Sequence, residues 1–142
     1  MLLIKLWRRR SFSCRGTKLL NFNVLFRIAE HEKKLIEAVW QALHGAWVCD
    51  DACNSQGAIQ SRLRVAQLIE DSCLANLEFS EQRGLDRCVQ ADALRRAGEF
   101  QRAKELLQHM QGNEEDVIKS MSKFQLYLID AKDTSKPTRQ QI

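Results

Sequence analysis

A single proline, Pro137, occurs in this chain, and it stands close to the C-terminus. Proline is the residue a helix tolerates least, because its ring clashes with the preceding turn and it carries no N–H. Everything upstream of it is therefore free to be helical. The apolar residues are mainly Leu and Ala, a bias that favours helix over strand. Glycines stand far apart, at 16, 45, 57, 84, 98 and 112, so no phosphate-cradling loop of the Walker or Rossmann kind is present. The 142 residues suffice for one domain, and a 44% apolar share is enough to build a core. The expected fold is all-α: a compact array of about five helices, with antiparallel neighbours joined by short turns.

The net charge of +4 is unevenly spread. Lys5, Arg8, Arg9, Arg10, Arg15, Lys18 and Arg27 all fall in residues 1–29, which contain no acid. The rest of the chain has 15 of the 22 basic residues against all 18 acidic ones. Basicity belongs to the tail, so the body offers no nucleic-acid surface, while the tail suits anionic surfaces. Residues 1–22 read as a basic tail, disordered or loosely attached, and either a targeting segment or a non-native start. Residues 23–131 read as the helical domain, and 132–142 as a polar C-terminal tail.

Nothing at the start resembles a secretory signal: the apolar opening is broken by Lys5, and the arginines follow it. No apolar run approaches the roughly 20 residues of a membrane span. Five cysteines are an odd number in a chain that does not need disulfide staples. A soluble protein of the cytoplasm is the expectation. The alternative is mitochondrial, because an Arg-rich, acid-free start has the composition of a presequence.

Periodicity places the helices. The first runs from about Val24 to His44, with Leu25, Ile28, Leu35, Val39 and Leu43 on one face and Gly45 as C-cap. A loop is expected from Gly45 to Gly57, the longest connection in the body. Asn54 or Ser55 caps the next helix, which carries Ile59, Leu63, Ala66, Ile69 and Cys73 and ends near Leu74. Ser80 is expected to cap a third helix that ends at Gly98. A short fourth carries Phe100, Ala103, Leu107 and Met110. The fifth shows Val117, Met121, Phe124, Leu128 and Ala131 at alternating spacings of four and three, the period of a helix.

From Ala91 the sequence ADALRRAGEFQRAKELLQHM resembles the turn and second helix of a tetratricopeptide repeat, within a hairpin of about residues 85–111. Ala91 and Ala103 stand where that family needs small residues, Leu94 packs one turn on, and Gly98 and Phe100 make the turn. Arg87 and Gln90 occupy positions that are apolar in the family. No second copy appears at the family's period of about 34 residues. The resemblance implies a role in binding a peptide or protein partner.

Local chemistry is densest in Trp47–Cys53, WVCDDAC. Trp47, Asp50 and Asp51 are the candidate partner-binding residues. Cys49 and Cys53, with His44, form the candidate metal set, for which zinc is the cation their softness suits. Their spacing is not that of two Cys-x-x-Cys pairs, and the bland alternative is small apolar filler. His31-Glu32 opens like a zinc-protease helix, but Leu35 stands where the second histidine is required. Cys73 and Cys88 fall on apolar helix faces and read as core. No catalytic motif emerges. The leading expectation is a non-enzymatic protein–protein interaction module without a cofactor, and the alternative is a small zinc-binding protein.

Overall fold

The computed structural model describes residues 34–80, 82–110 and 115–136, all helix, turn or connection. Five α-helices follow one another: α1 Leu35–Asp51, α2 Ser55–Leu74, α3 Arg83–Arg96, α4 Phe100–Gln108 and α5 Asp116–Asp130. The basic tail, the expected first turns from Val24, the Gly112-Asn113 turn and the last residues lie outside the described ones. Each helix packs on its successor, and α3 also touches α5, so α3 has α2, α4 and α5 around it. No described helix is long and apolar enough to cross a membrane.

The expected loop from Gly45 to Gly57 is not there. Helix α1 runs through Gly45 to Asp51, and the connection is only Ala52–Asn54. Gly45 is buried in a stripe with Ala38, Ala42, Ala46 and Cys49. Glycine inside a helix costs about 1 kcal/mol relative to alanine. Burial of this small-residue stripe on α2 offsets that cost, since small side chains let two helices approach closely. The actual stop is Cys53, whose φ of 54° is left-handed. Asn54 then caps α2 by accepting from the Gly57 N–H at 3.0 Å.

Two apolar clusters hold the array together. One joins Ala38, Val39 and Ala42 of α1 to Val65, Leu68 and Ile69 of α2, and takes in Phe79 and Ala93. The other joins Ala66, Ala91, Leu94, Ala103, Leu107 and Ile129. Gly98, at φ 88°, makes the α3–α4 turn, with the Glu99 N–H reaching the Leu94 carbonyl at 2.9 Å. Cys88 is buried and Cys73 partly so.

Between α2 and α3 the chain is clipped by a carboxylate. Asp86, 1% exposed, accepts from the Phe79 N–H at 2.8 Å and from the Ser80 hydroxyl. Ser80 is thus not a helix cap: Gln82 holds that position, without a capping bond from its side chain. The Phe79 ring, held back by this clip, lies 4.5 Å from Trp40.

Helix α5 is turned relative to the expected stripe. It buries Ile118, Gln125, Leu128 and Ile129, and leaves Val117 65% exposed. The reason is Arg95, which is fully buried on α3 and needs partners. Its Nε donates to Gln125 Oε1 at 3.0 Å and its Nη2 to Asp92 Oδ1 at 2.7 Å, and Nη1 donates to the Asp133 carbonyl. Gln125 closes the network by donating to Asp92 at 3.2 Å. A buried guanidinium left unpaired is costly, so the polar face of α5 is drawn inward.

Candidate functional site

Of the residues singled out in WVCDDAC, Trp47, Cys49, Asp50 and Asp51 end up on α1 and Cys53 in the connection after it, and they do not meet at one place. His44 lies between two indoles, its ring centroid 6.1 Å from Trp40 and 5.2 Å from Trp47. Cys49 faces the other way, buried against the start of α2. Cys53 is exposed at the left-handed stop. Among the described residues no three His, Cys, Asp or Glu side chains come together as a group able to hold a metal ion.

Burial, and after it the neighbouring Asp50, pushes the Cys49 thiol above its ordinary pKa. Burial likewise raises Cys73. Both groups are held as thiols, the form that neither attacks nor ligates well.

Asp50, itself partly solvated, is engaged by side chains of two other helices. Its Oδ2 accepts from Arg62 of α2 and, at 2.8 Å, from Nη2 of Arg96, the last residue of α3. Arg62 is 6% exposed. Burial first, and then the like charge of Arg96, lowers its pKa, while its hydrogen bond to Asp50 works in the opposite sense. One carboxylate thus serves two guanidiniums and ties three helices together. Asp51, beside it, is exposed.

A concave feature among the described residues lies elsewhere, along α3. Helices α2 and α4 both pack on α3 but not on each other. They leave a groove of about 750 Å³ with α3 as its floor. Ala66, Gln67 and Glu70 line it from α2, Glu105 and Leu106 from α4, and His109 and Met110 from just past the end of α4. The floor carries Gly84, Arg87, Gln90 and Leu94, with Arg83 and Arg102 at the edges.

The α2–α3 seam along one side of the groove is polar. Arg87 Nη1 donates to Glu70 Oε2 and, at 2.8 Å, to Gln90 Oε1. Gln90 Nε2 donates to Glu70 Oε2 at 3.1 Å and to the Ala66 carbonyl at 3.0 Å. The bonds from Arg87 and then Gln90 hold the Glu70 carboxyl below its ordinary pKa. Hydrogen bonds fix the spacing of α2 on α3 here, and the three polar side chains form a neutral, satisfied rail. At the other end, Leu94 and Ala103 are buried and the helices close up.

Sequence reasoning did not find this groove. Arg87 and Gln90 stood out only as departures from an apolar repeat pattern, and Glu70 not at all. Their shared signal, a cation, an amide and an acid a turn apart on successive helices, is visible only once the helices are paired.

No protein-family model matches the chain, and neither a curated protein nor a solved structure is similar to it.

Proposed function

We propose that this chain is a non-enzymatic helical interaction module, and that the α2–α3–α4 groove takes up a peptide segment of a protein partner. The observation that supports this reading is the groove itself: a floor helix between two walls that do not meet, enclosing about 750 Å³. A cleft of that volume lies within the range that ligands and short segments occupy. Its mixed lining also suits a peptide. Leu94, Leu106 and Met110 offer apolar contact, and the surrounding polar groups fix orientation. The resemblance of residues 85–111 to a tetratricopeptide hairpin points to the same class of role.

The reading carries a compartment with it: the cytoplasm, or the mitochondrion if residues 1–22 act as a presequence. Partner binding through Trp47, Asp50 and Asp51 loses weight beside the groove, because Asp50 is already occupied by two arginines.

A selection of random displayed peptides on the full-length protein tests the assignment. Selected peptides should shift the backbone amide resonances of Gly84, Gln90 and Leu106, and should lose affinity for Leu106→Ser. Peptides that bind the variant as tightly as the wild type, with those resonances unmoved, would refute it.

A further inference from the structure

The groove has a charge preference, and it follows from which of its ionic groups are already used. Glu70 is consumed by Arg87 and Gln90, as described above, and those three side chains present no net charge. Glu105, exposed on α4, accepts from the neutral amide of Gln101 at 2.7 Å and keeps its charge. The lining thus sets Arg83, Arg87 and Arg102 against Glu70 and Glu105 and is positive by one charge. Two arginines remain at the edges. Arg83, at the start of α3, is exposed and makes no ion pair among the described residues. Arg102, on α4, has Glu99 of its own helix at 3.7 Å, both side chains well exposed. An i,i+3 contact of that length between solvated groups contributes close to nothing. Between the two lies the apolar strip of Leu94, Leu106 and Met110.

Resting on the reading of the groove as a peptide-binding surface, we propose that its partner is an acidic protein segment with interleaved apolar side chains. Carboxylates pair with Arg83 and Arg102, and an aliphatic side chain packs on Leu106 and Met110. A guanidinium offers a carboxylate a planar fork of donors, and both forks are available. A basic segment meets like charge at both edges. A neutral one loses the pairing and keeps only the apolar contact. The electrostatic part sets selectivity and association rate more than it sets total affinity.

Residues 1–29, with seven basic side chains and no acid, attract any acidic peptide, so the test has to separate tail from groove. The probe is a labelled helical peptide of about eight residues, the span of i to i+7 anchors, with Leu on one face and Glu flanking it. Its counterparts carry Gln or Lys in place of Glu. Binding is read by fluorescence anisotropy on the full-length chain and on the full-length double variant Arg83→Glu, Arg102→Glu. Both substituted side chains are exposed, so the fold is kept, and the tail is identical in the two proteins.

The expected result is at least a ten-fold preference of the wild type for the Glu peptide over the Gln peptide, equivalent to about 1.4 kcal/mol. No binding of the Lys peptide is expected, and the double variant should reverse the order. Equal binding of the Glu peptide by wild type and double variant overturns the proposal, because that binding belongs to the tail. So does failure of the Glu peptide to bind up to about 1 mM. If Glu and Gln peptides bind alike and Leu106→Ser releases both, the acidic assignment falls and the groove reading stands. If Leu106→Ser changes nothing, both fall.

Discussion

Asp50 and Arg96 meet at 2.8 Å across 46 positions of chain, and they join two helices, α1 and α3, whose backbones do not touch. Since Asp50 also accepts from Arg62 of α2, the corner where α1, α2 and α3 converge is held by one carboxylate. Removing it leaves two cations side by side, one of them buried.

Asp50→Asn is therefore expected to destabilise the fold by about 2 kcal/mol, less than a fully buried pair would give because Asp50 is partly solvated. Thermal or urea unfolding of the two proteins checks this. Arg62→Met in the Asp50→Asn background should recover part of the loss, because it removes the buried charge that the first substitution strands. A neutral Asp50→Asn, or a double variant worse than the single, would show that the corner is held by apolar contact alone.

Glu70 supplies the pH dependence. Its carboxyl is held below its ordinary pKa by Arg87 and Gln90, so its ionised form is favoured in the folded state. Stability from such a group is fully present above the unfolded-state value of about 4.3 and is lost as pH falls below it through the folded value. Melting temperatures of wild type and Glu70→Gln should differ most at neutral pH and converge below about pH 4. A difference that stays constant down to pH 3 would exclude the ion pair as its source.

Gly57 and Cys49 form a matched pair at the α1–α2 junction. A Cβ on residue 57 would stand 2.9 Å from Cys49 Sγ and 2.8 Å from Asn54 Nδ2, inside contact distance for both. The helix-propensity gain of Gly57→Ala, about 1 kcal/mol, should be cancelled by this crowding. In a Cys49→Ala background the sulfur is gone while the Asn54 contact at 2.8 Å remains, so Gly57→Ala should be less unfavourable there than in the wild type. A double-mutant cycle in urea measures the coupling, and a coupling energy near zero would mean that the junction adjusts freely.

Where a helix would form was legible wherever period and caps agreed. Helix α4 buries Ala103 and Leu107 where the spacing announces them, and Gly98 turns the chain between Arg96 and Phe100 as a left-handed glycine should. Helix α2, by contrast, buries Ala58, Arg62, Val65 and Leu68 beside Ala66 and Ile69 and leaves the expected Ile59, Leu63 and Cys73 only half-buried. Legibility failed at Gly45, because a glycine followed by Trp, Cys and two Asp looks like the end of a helix. The cost it carries is offset by a partner helix, and a single segment does not reveal its partner. It failed again on α5, where the face that packs includes Gln125, polar in sequence yet buried by the needs of Arg95. The groove was the least legible feature. It is lined by Glu70, Arg87 and Gln90, which read singly as solvated surface and only jointly tie α2 to α3.

The order of packing has a kinetic consequence. Because every helix leans on the next one along the chain, most of the folded contacts close short loops, the arrangement that lets a chain reach its native state fastest. The pieces that shape the groove are three consecutive helices, so it can assemble as a unit before α1 or α5 has docked. The distant ties come afterwards: Arg96 to Asp50, and Arg95 to the Asp133 carbonyl across 38 positions. Hydrogen exchange in the native protein should accordingly find the amides of α1 and α5 opening at lower free energy than those of α3, the helix enclosed by three others.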